Sequence, residues 1–341
     1  MYLYFIIFLL LVYFCLIKKN KIELPLFICA GTLLFFLAAF RAKGIDKDYI
    51  GYIEYYNDIL YKSFVNVEPS FILITILVEK IFHNYIFIFI FYALLGISLK
   101  FLAIYKLTRF RLLSVLVYYS LYFLLFEMTQ IRVGVAAGFM LLCIIPIKER
   151  KLGLFLFYST LAFLFHYSAI IIFPLYFLSS RKINIYIYSL LIPIAYLIYF
   201  SNLNLFFFSD YISIPLIQTK LGNYNNYASI DSSINLFNYV HIFRCLLVYL
   251  FLWKWKVITT NNTYAVIVIK IYIIALFIFV AMAKIPGISS RLSEFLLIVE
   301  IIMIPYLLIA FKSKSLAISL VTAISFAFFC FSIFYTKLLI F

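Results

Sequence analysis

Apolar residues fill this chain in successive runs of about 17 to 22, separated by short polar breaks, and such a run matches a helix crossing a hydrocarbon core roughly 30 Å thick. Runs of this kind lie at 1–17, 24–40, 85–105, 131–147, 183–200, 235–253, 264–283, 291–310 and 316–335, with a somewhat shorter one at 112–126. The first has no basic leading segment and no small-residue cleavage site, so it reads as a retained helix and not a signal peptide.

Two stretches depart from this rhythm. Residues 68–82 make a segment of about fourteen residues, which is short of a full span and predicts a partly inserted external helix with Glu68, Glu79 and Lys80 near its ends. The stretch 152–180 is too long for one comfortable span and short for two. With basic clusters on both sides, it predicts a hairpin of two arms, each about 21 Å long, with His166 at the tip; one long tilted helix is the alternative. The fold expected is all-α: a single polytopic domain over 1–341 with about twelve transmembrane helices and one short external helix. External loops are expected at 41–69 and 201–234.

Composition agrees with this reading. With 67% hydrophobic residues and a mean hydropathy of +1.14, the chain lacks the polar surface that a soluble globule needs. In lipid, the backbone must be satisfied within helices. The five cysteines all lie in apolar runs with no CxxC spacing, which points to neither a disulfide framework nor a zinc site.

The net charge of +15 raises the question of nucleic acid, and its distribution answers it. Basic residues cluster between the apolar runs: Lys18, Lys19 and Lys21; Lys106, Arg109 and Arg111; Lys148, Arg150 and Lys151; Arg181 and Lys182; Lys254 and Lys256; Lys312 and Lys314. This is the positive-inside pattern, and it assigns these connections, with Lys100 counted among them, to the cytoplasm. A polyanion partner is not needed to explain the charge.

The remaining charged residues are the candidates for chemistry. Arg132, in TQIRVGVA, places a guanidinium at the mouth of an apolar run, where a charge costs roughly 3 kcal/mol or more and usually lines a functional cavity. The plainer alternative is an arginine that snorkels to the interface and pairs with Glu127. Arg41, Asp46, Asp48, His166 and Arg291 are expected on the same, outer side. His241 and Arg244 share one helix face. Loop 41–69 adds Tyr49 and Tyr52 and reads as a solvated loop with an interfacial tyrosine belt. Loop 201–234, rich in Asn, Ser and Tyr, suits sugar binding and equally a mobile polar loop. No GxGxxG, P-loop, HExxH or GxSxG motif occurs, which argues against a nucleotide-dependent enzyme.

Several local patterns recur in an order that resembles a known family. They are R-x-x-G-x-D-x-D-Y at 41–49, Glu68-Pro69, Gln130 to Arg132 followed by small residues, FHYS at 165–168, and SSRLSEF at 289–295 with Arg291 and Glu294. Together they resemble the EpsG family, which is related to Wzy-type polymerases of O-antigen, capsule and exopolysaccharide and resembles lipid-sugar-dependent membrane glycosyltransferases. The resemblance implies polymerisation of oligosaccharide repeats carried on undecaprenyl pyrophosphate at the outer face of the bacterial cell membrane. Membrane lipids, a flippase and a chain-length regulator would be its partners, with no cofactor or metal.

Within that frame, Arg132, Arg291 and Arg41 are expected to hold the pyrophosphate, and His166 or one of Asp46 and Asp48 to act as base. Tyr49, Glu68, Gln130, Arg244 and Glu294 are expected to bind substrate. A flippase would instead need charge along a path to both faces, and a membrane acyltransferase is commonly served from the cytoplasm.

Overall fold

The computed structural model describes residues 1–17, 20–62, 66–201 and 234–340. Loop 201–234 therefore lies almost wholly outside the described residues, as do Lys18 and Lys19. The described chain is helical, and its only extended pairing is an isolated antiparallel bridge between Asp46 and Leu339. Six helices are long and apolar enough to cross a membrane, spanning Lys21–Ala39, Ile86–Leu107, Arg111–Thr129, Ile131–Glu149, Pro286–Ala310 and Lys314–Tyr335. Six further apolar helices are shorter. The chain packs as two compact units, Met1–Tyr176 with Glu300–Phe341, and Phe177–Val299.

The first unit contains α1 (Tyr2–Leu16), α2 (Asn20–Ala39), α3 (Tyr49–Tyr61), α4 (Pro69–Phe82) and α5 (Ile86–Leu107). Helix α6 (Arg111–Tyr118) runs on as a π-helix, Tyr119–Thr129, and is followed by α7 (Ile131–Glu149) and α8 (Leu152–Phe165). Helix α7 packs between α5 and α8, and α2 packs on α5. Glycines permit the closest approach: a Cβ on Gly96 of α5 would overlap the Glu127 carboxylate, and one on Gly134 of α7 would overlap the Phe126 carbonyl.

Where the sequence suggests a solvated loop at 41–69, the structure has a helix. Tyr49, Tyr52 and Tyr56 recur at helical spacing on α3 and are buried, Tyr49 against Phe89 at 4.6 Å and Tyr52 near Phe71 at 5.9 Å. The tyrosines thus form the apolar stripe of an amphipathic helix in a stretch whose charges hide the pattern. The residues before α3 are tied to the end of the chain, since Ile340 N–H donates to the Ile45 carbonyl at 2.7 Å and Lys47 Nζ to the Thr336 carbonyl at 2.8 Å.

The stretch after Lys151 turns back on itself. Helix α8 ends at His166, whose backbone is extended (φ −156°, ψ 126°), and a 3-10 helix, Tyr167–Phe177, follows. Phe155 lies 4.9 Å from Tyr176, and Arg150 Nη1 donates to the Tyr176 carbonyl at 2.5 Å. The two arms therefore run antiparallel with His166 between them, the hairpin that the spacing of the basic clusters predicts.

In the second unit, α9 (Ile185–Phe200), α10 (Tyr239–Trp253), α11 (Trp255–Asn261), α12 (Ala265–Ala281) and α13 (Pro286–Leu297) pack around α12. Ala195, Leu236, Val280, Ala281 and Ala283 form its apolar centre. Lys270, buried on α12, donates to the Ser179 carbonyl at 2.5 Å. Pro286 opens α13 at its first turn, where a missing N–H is harmless.

Candidate functional site

Three elements of the first unit converge on Glu68. Pro69 begins α4 and restricts the residue before it, so Glu68 is extended (φ −64°, ψ 144°) and stands at the helix entrance. Arg132 emerges in the first turn of α7, just after the chain breaks at Gln130 (φ −93°, ψ 61°). His166 closes α8. Arg132 Nη1 donates to Glu68 Oε2, and His166 Nδ1 lies 2.9 Å from Glu68 Oε1, so one carboxylate holds both side chains on separate oxygens. The plainer reading of Arg132 as a partner of Glu127 does not hold, because Glu127 is engaged elsewhere.

The Glu68 side chain is 5% exposed, whereas Arg132 and His166 retain 17% and 14%. Burial by itself raises the Glu68 carboxyl, but the hydrogen bond from His166 and the charge of Arg132 outweigh it and hold it at about 2. Glu68 is thus a carboxylate that only accepts. A carboxylate offers no proton, so His166 Nδ1 donates in this contact, and Nε2 is the ring nitrogen that Glu68 does not engage. Aromatic rings surround the guanidinium, with Tyr55 at 5.2 Å, Phe71 at 5.5 Å and Tyr52 at 5.7 Å. The Tyr52 hydroxyl, buried beside Arg132, is pushed up to about 12 chiefly by burial.

Arg41 and Asp46 form a second pair, 3.2 Å apart, with side chains 1% and 0% exposed. Arg41 Nη1 also donates to the Glu127 carbonyl at 2.7 Å, and its guanidinium lies over the Phe89 ring at 4.3 Å. Burial raises the Asp46 carboxyl to about 6 against the pull of Arg41. Asp46 Oδ1 accepts from the Asp48 N–H at 3.1 Å, and Asp48 sits half-buried at the entrance of α3. The structure brings these residues into a closed, buried turn. Tyr49 covers the same guanidinium at 5.7 Å.

The third pair corrects the sequence reading. Lys100, counted with the cytoplasmic clusters, lies inside the protein with its side chain 0% exposed and bonds the Glu127 carboxylate. Its signal is a lysine in the interior of a 22-residue apolar helix, well before Lys106 in the last turn. Tyr122 donates to the buried Glu300 carboxylate at 2.5 Å, another intramembrane contact that hydropathy alone does not reveal.

The other expected site residues belong to the second unit. Arg291 and Glu294 lie on α13 and Arg244 on α10, and Glu294 feels the charge of both arginines. His241 is buried on α10, its Nε2 3.4 Å from Cys245 Sγ and its ring 4.9 Å from Phe279. Among the described residues, no group of three His, Cys, Asp or Glu side chains is placed to hold a metal ion.

Neither a curated protein nor a solved structure matches this chain. The family profile described as EpsG family matches residues 24–340, nearly the whole chain and including every residue of the Glu68 cluster. This is a membrane protein of the polysaccharide-biosynthesis kind, and it belongs to the EpsG family.

Proposed function

We propose that the protein is a polysaccharide polymerase that joins oligosaccharide repeats carried on undecaprenyl pyrophosphate at the outer face of the bacterial cell membrane. The observation that carries this reading is the Glu68 carboxylate shared by Arg132 and His166. In the proposed step, the acceptor hydroxyl oxygen bonds to the anomeric carbon of the donor repeat. The bond from that carbon to the pyrophosphate oxygen breaks, and undecaprenyl pyrophosphate leaves. His166 Nε2 takes the hydroxyl proton, while Glu68 fixes the ring through Nδ1. The Arg132 N–H groups not used on Glu68 stabilise the charge that develops on the leaving oxygen in a poorly solvated site.

Arg41 and Asp46 are too buried and too closely bound to each other to reach a substrate, so we assign them to shaping the turn before α3. Asp48 and Tyr49 belong to the turn that Arg41 and Asp46 hold, and Gln130 stands at the break before α7. Arg291, Glu294 and Arg244 remain a separate candidate cluster for the pyrophosphate or the growing glycan. A flippase and a chain-length regulator are the partners this reading expects.

Purified protein in liposomes, supplied with undecaprenyl-pyrophosphate-linked repeats, tests the proposal. A ladder of products is expected, and His166→Ala should abolish it at equal protein level. Movement of the lipid-linked repeat between leaflets without any ladder would replace the polymerase with a transporter.

A further inference from the structure

We propose that Lys100, acting with Glu127, is a positioning residue for Arg132: a buried cation that fixes the helix break from which the guanidinium projects. The inference rests on the reading of the Glu68 cluster as the reacting site. The ammonium of Lys100 touches three segments at once. It donates to the Glu127 carboxylate on the π-helix, to the Gly134 carbonyl on α7 at 2.6 Å, and to the Gly96 carbonyl on α5 at 3.3 Å. An ammonium has three donors, and this site uses all of them.

The place that Lys100 grips is the place that matters. Glu127 and Gly134 bracket Arg132, and between them the π-helix ends at Thr129 and the chain breaks at Gln130 before α7 begins. The upstream edge is held a second time, because Arg41 Nη1 donates to the Glu127 carbonyl, a carbonyl in the last π-helical turn that the regular ladder leaves short of partners. Gly96 and Gly134 make the room for this arrangement. A buried ion pair is a poor source of stability, since apolar residues of similar volume often do as well. What apolar residues cannot do is hold the Gly134 carbonyl and the Glu127 side chain at one point. Lys100 therefore sets the direction in which Arg132 leaves α7 toward Glu68.

The consequence is readable at His166 without any turnover. Glu68 divides its charge between Arg132 and His166, and the other titratable groups around them are the phenols of Tyr52, Tyr55, Tyr92 and Tyr167. If Arg132 is displaced, the whole carboxylate charge falls to the imidazole. The experiment compares the wild-type protein in detergent with the Lys100→Met/Glu127→Met double variant, recording thermal unfolding, the titration of the 15N-labelled imidazole of His166, and product ladders. The expected result is an unfolding temperature within a few degrees of wild type, about a tenfold loss of polymerisation, and a His166 titration moved to higher pH by about half a unit or more.

An unmoved His166 titration would overturn the proposal, whatever the unfolding temperature does. Should the double variant fail to accumulate, Lys100→Met/Glu127→Gln removes the ammonium that holds the Gly134 carbonyl and leaves no buried charge; it is expected to move the titration in the same direction, and no movement there would equally refute the role. Because the titration needs no polymer, a wild-type protein that makes no ladder would refute the polymerase reading alone.

Discussion

Glu68 and His166, 98 residues apart in the sequence, meet through a 2.9 Å contact that ties the entrance of one short helix to the end of another. Removing either partner should stop the same step. His166→Ala is expected to lower polymerisation by about 10²- to 10⁴-fold, the range usual for a general base, while His83→Ala, on an exposed helix end, leaves it near wild type. Product ladders from membranes with matched protein levels decide between these outcomes, and equal effects of the two would return His166 to a packing role.

Charge and geometry separate at Arg132. Arg132→Lys keeps the cation but loses the planar fork, so polymerisation should fall by about tenfold or more with unchanged accumulation. Full activity of the lysine variant would remove Arg132 from pyrophosphate binding.

Glu68 and Asp46 give stability opposite dependences on pH. The carboxyl of Glu68 is depressed from 4.5 to about 2, so its contribution is present above pH 4.5 and lost as pH falls toward 2; the depression corresponds to about 3 kcal/mol. Asp46 is raised from 3.8 to about 6, so its contribution is complete below 3.8 and lost as pH rises through 6. Thermal unfolding in detergent should therefore lose its decline below pH 4.5 in Glu68→Gln and its decline toward neutral pH in Asp46→Asn. Identical pH profiles for wild type and both variants would contradict the assignments.

The close approach of α5, the π-helix and α7 predicts which glycines resist change. Gly96→Ala and Gly134→Ala should each destabilise the protein by about 1–3 kcal/mol through overpacking, whereas Gly153→Ala, whose Cβ meets nothing within 4 Å, should be neutral. Unfolding midpoints of the three purified variants provide the comparison.

The hairpin predicts a topology. Single cysteines at Arg150 and Arg181 should be labelled from the same face of the membrane, since the arms between them return past Phe155 and Tyr176. Labelling from opposite faces would require one continuous span through His166.

Hydropathy marks the apolar helices, and that much of the molecule was legible. Pro69 marked the start of the short helix at 68–82, the basic residues flanking 152–180 marked the hairpin, and Arg132 stood out as a charge in the wrong medium. The choice of neighbours was not legible. Glu127 lies five residues from Arg132 and is the partner of the plainer alternative, yet the Arg132 contact goes to Glu68, 64 residues away, because helix packing and not sequence distance sets the encounter. Lys100 was misplaced for the same reason: a count of basic residues by loop cannot tell a lysine near a helix end from one turned inward. The helix at 49–61 was hidden because its tyrosines double as interfacial residues.

The hairpin arms also carry a metric consequence. The first has 14 residues in an α-helix and the second 11 in a 3-10 helix, and with rises of about 1.5 Å and 2.0 Å both arms come to roughly 21–22 Å. The tighter, longer-pitched winding lets fewer residues cover the same depth, so the hairpin closes without slack. Both arms fall short of a hydrocarbon core of about 30 Å, a mismatch that thinning of the lipid, snorkelling of flanking side chains or association with a neighbour can meet. Where the hairpin faces lipid, its length therefore calls for a bilayer thinned beside His166, an expectation that activity in liposomes of shorter and longer acyl chains would test.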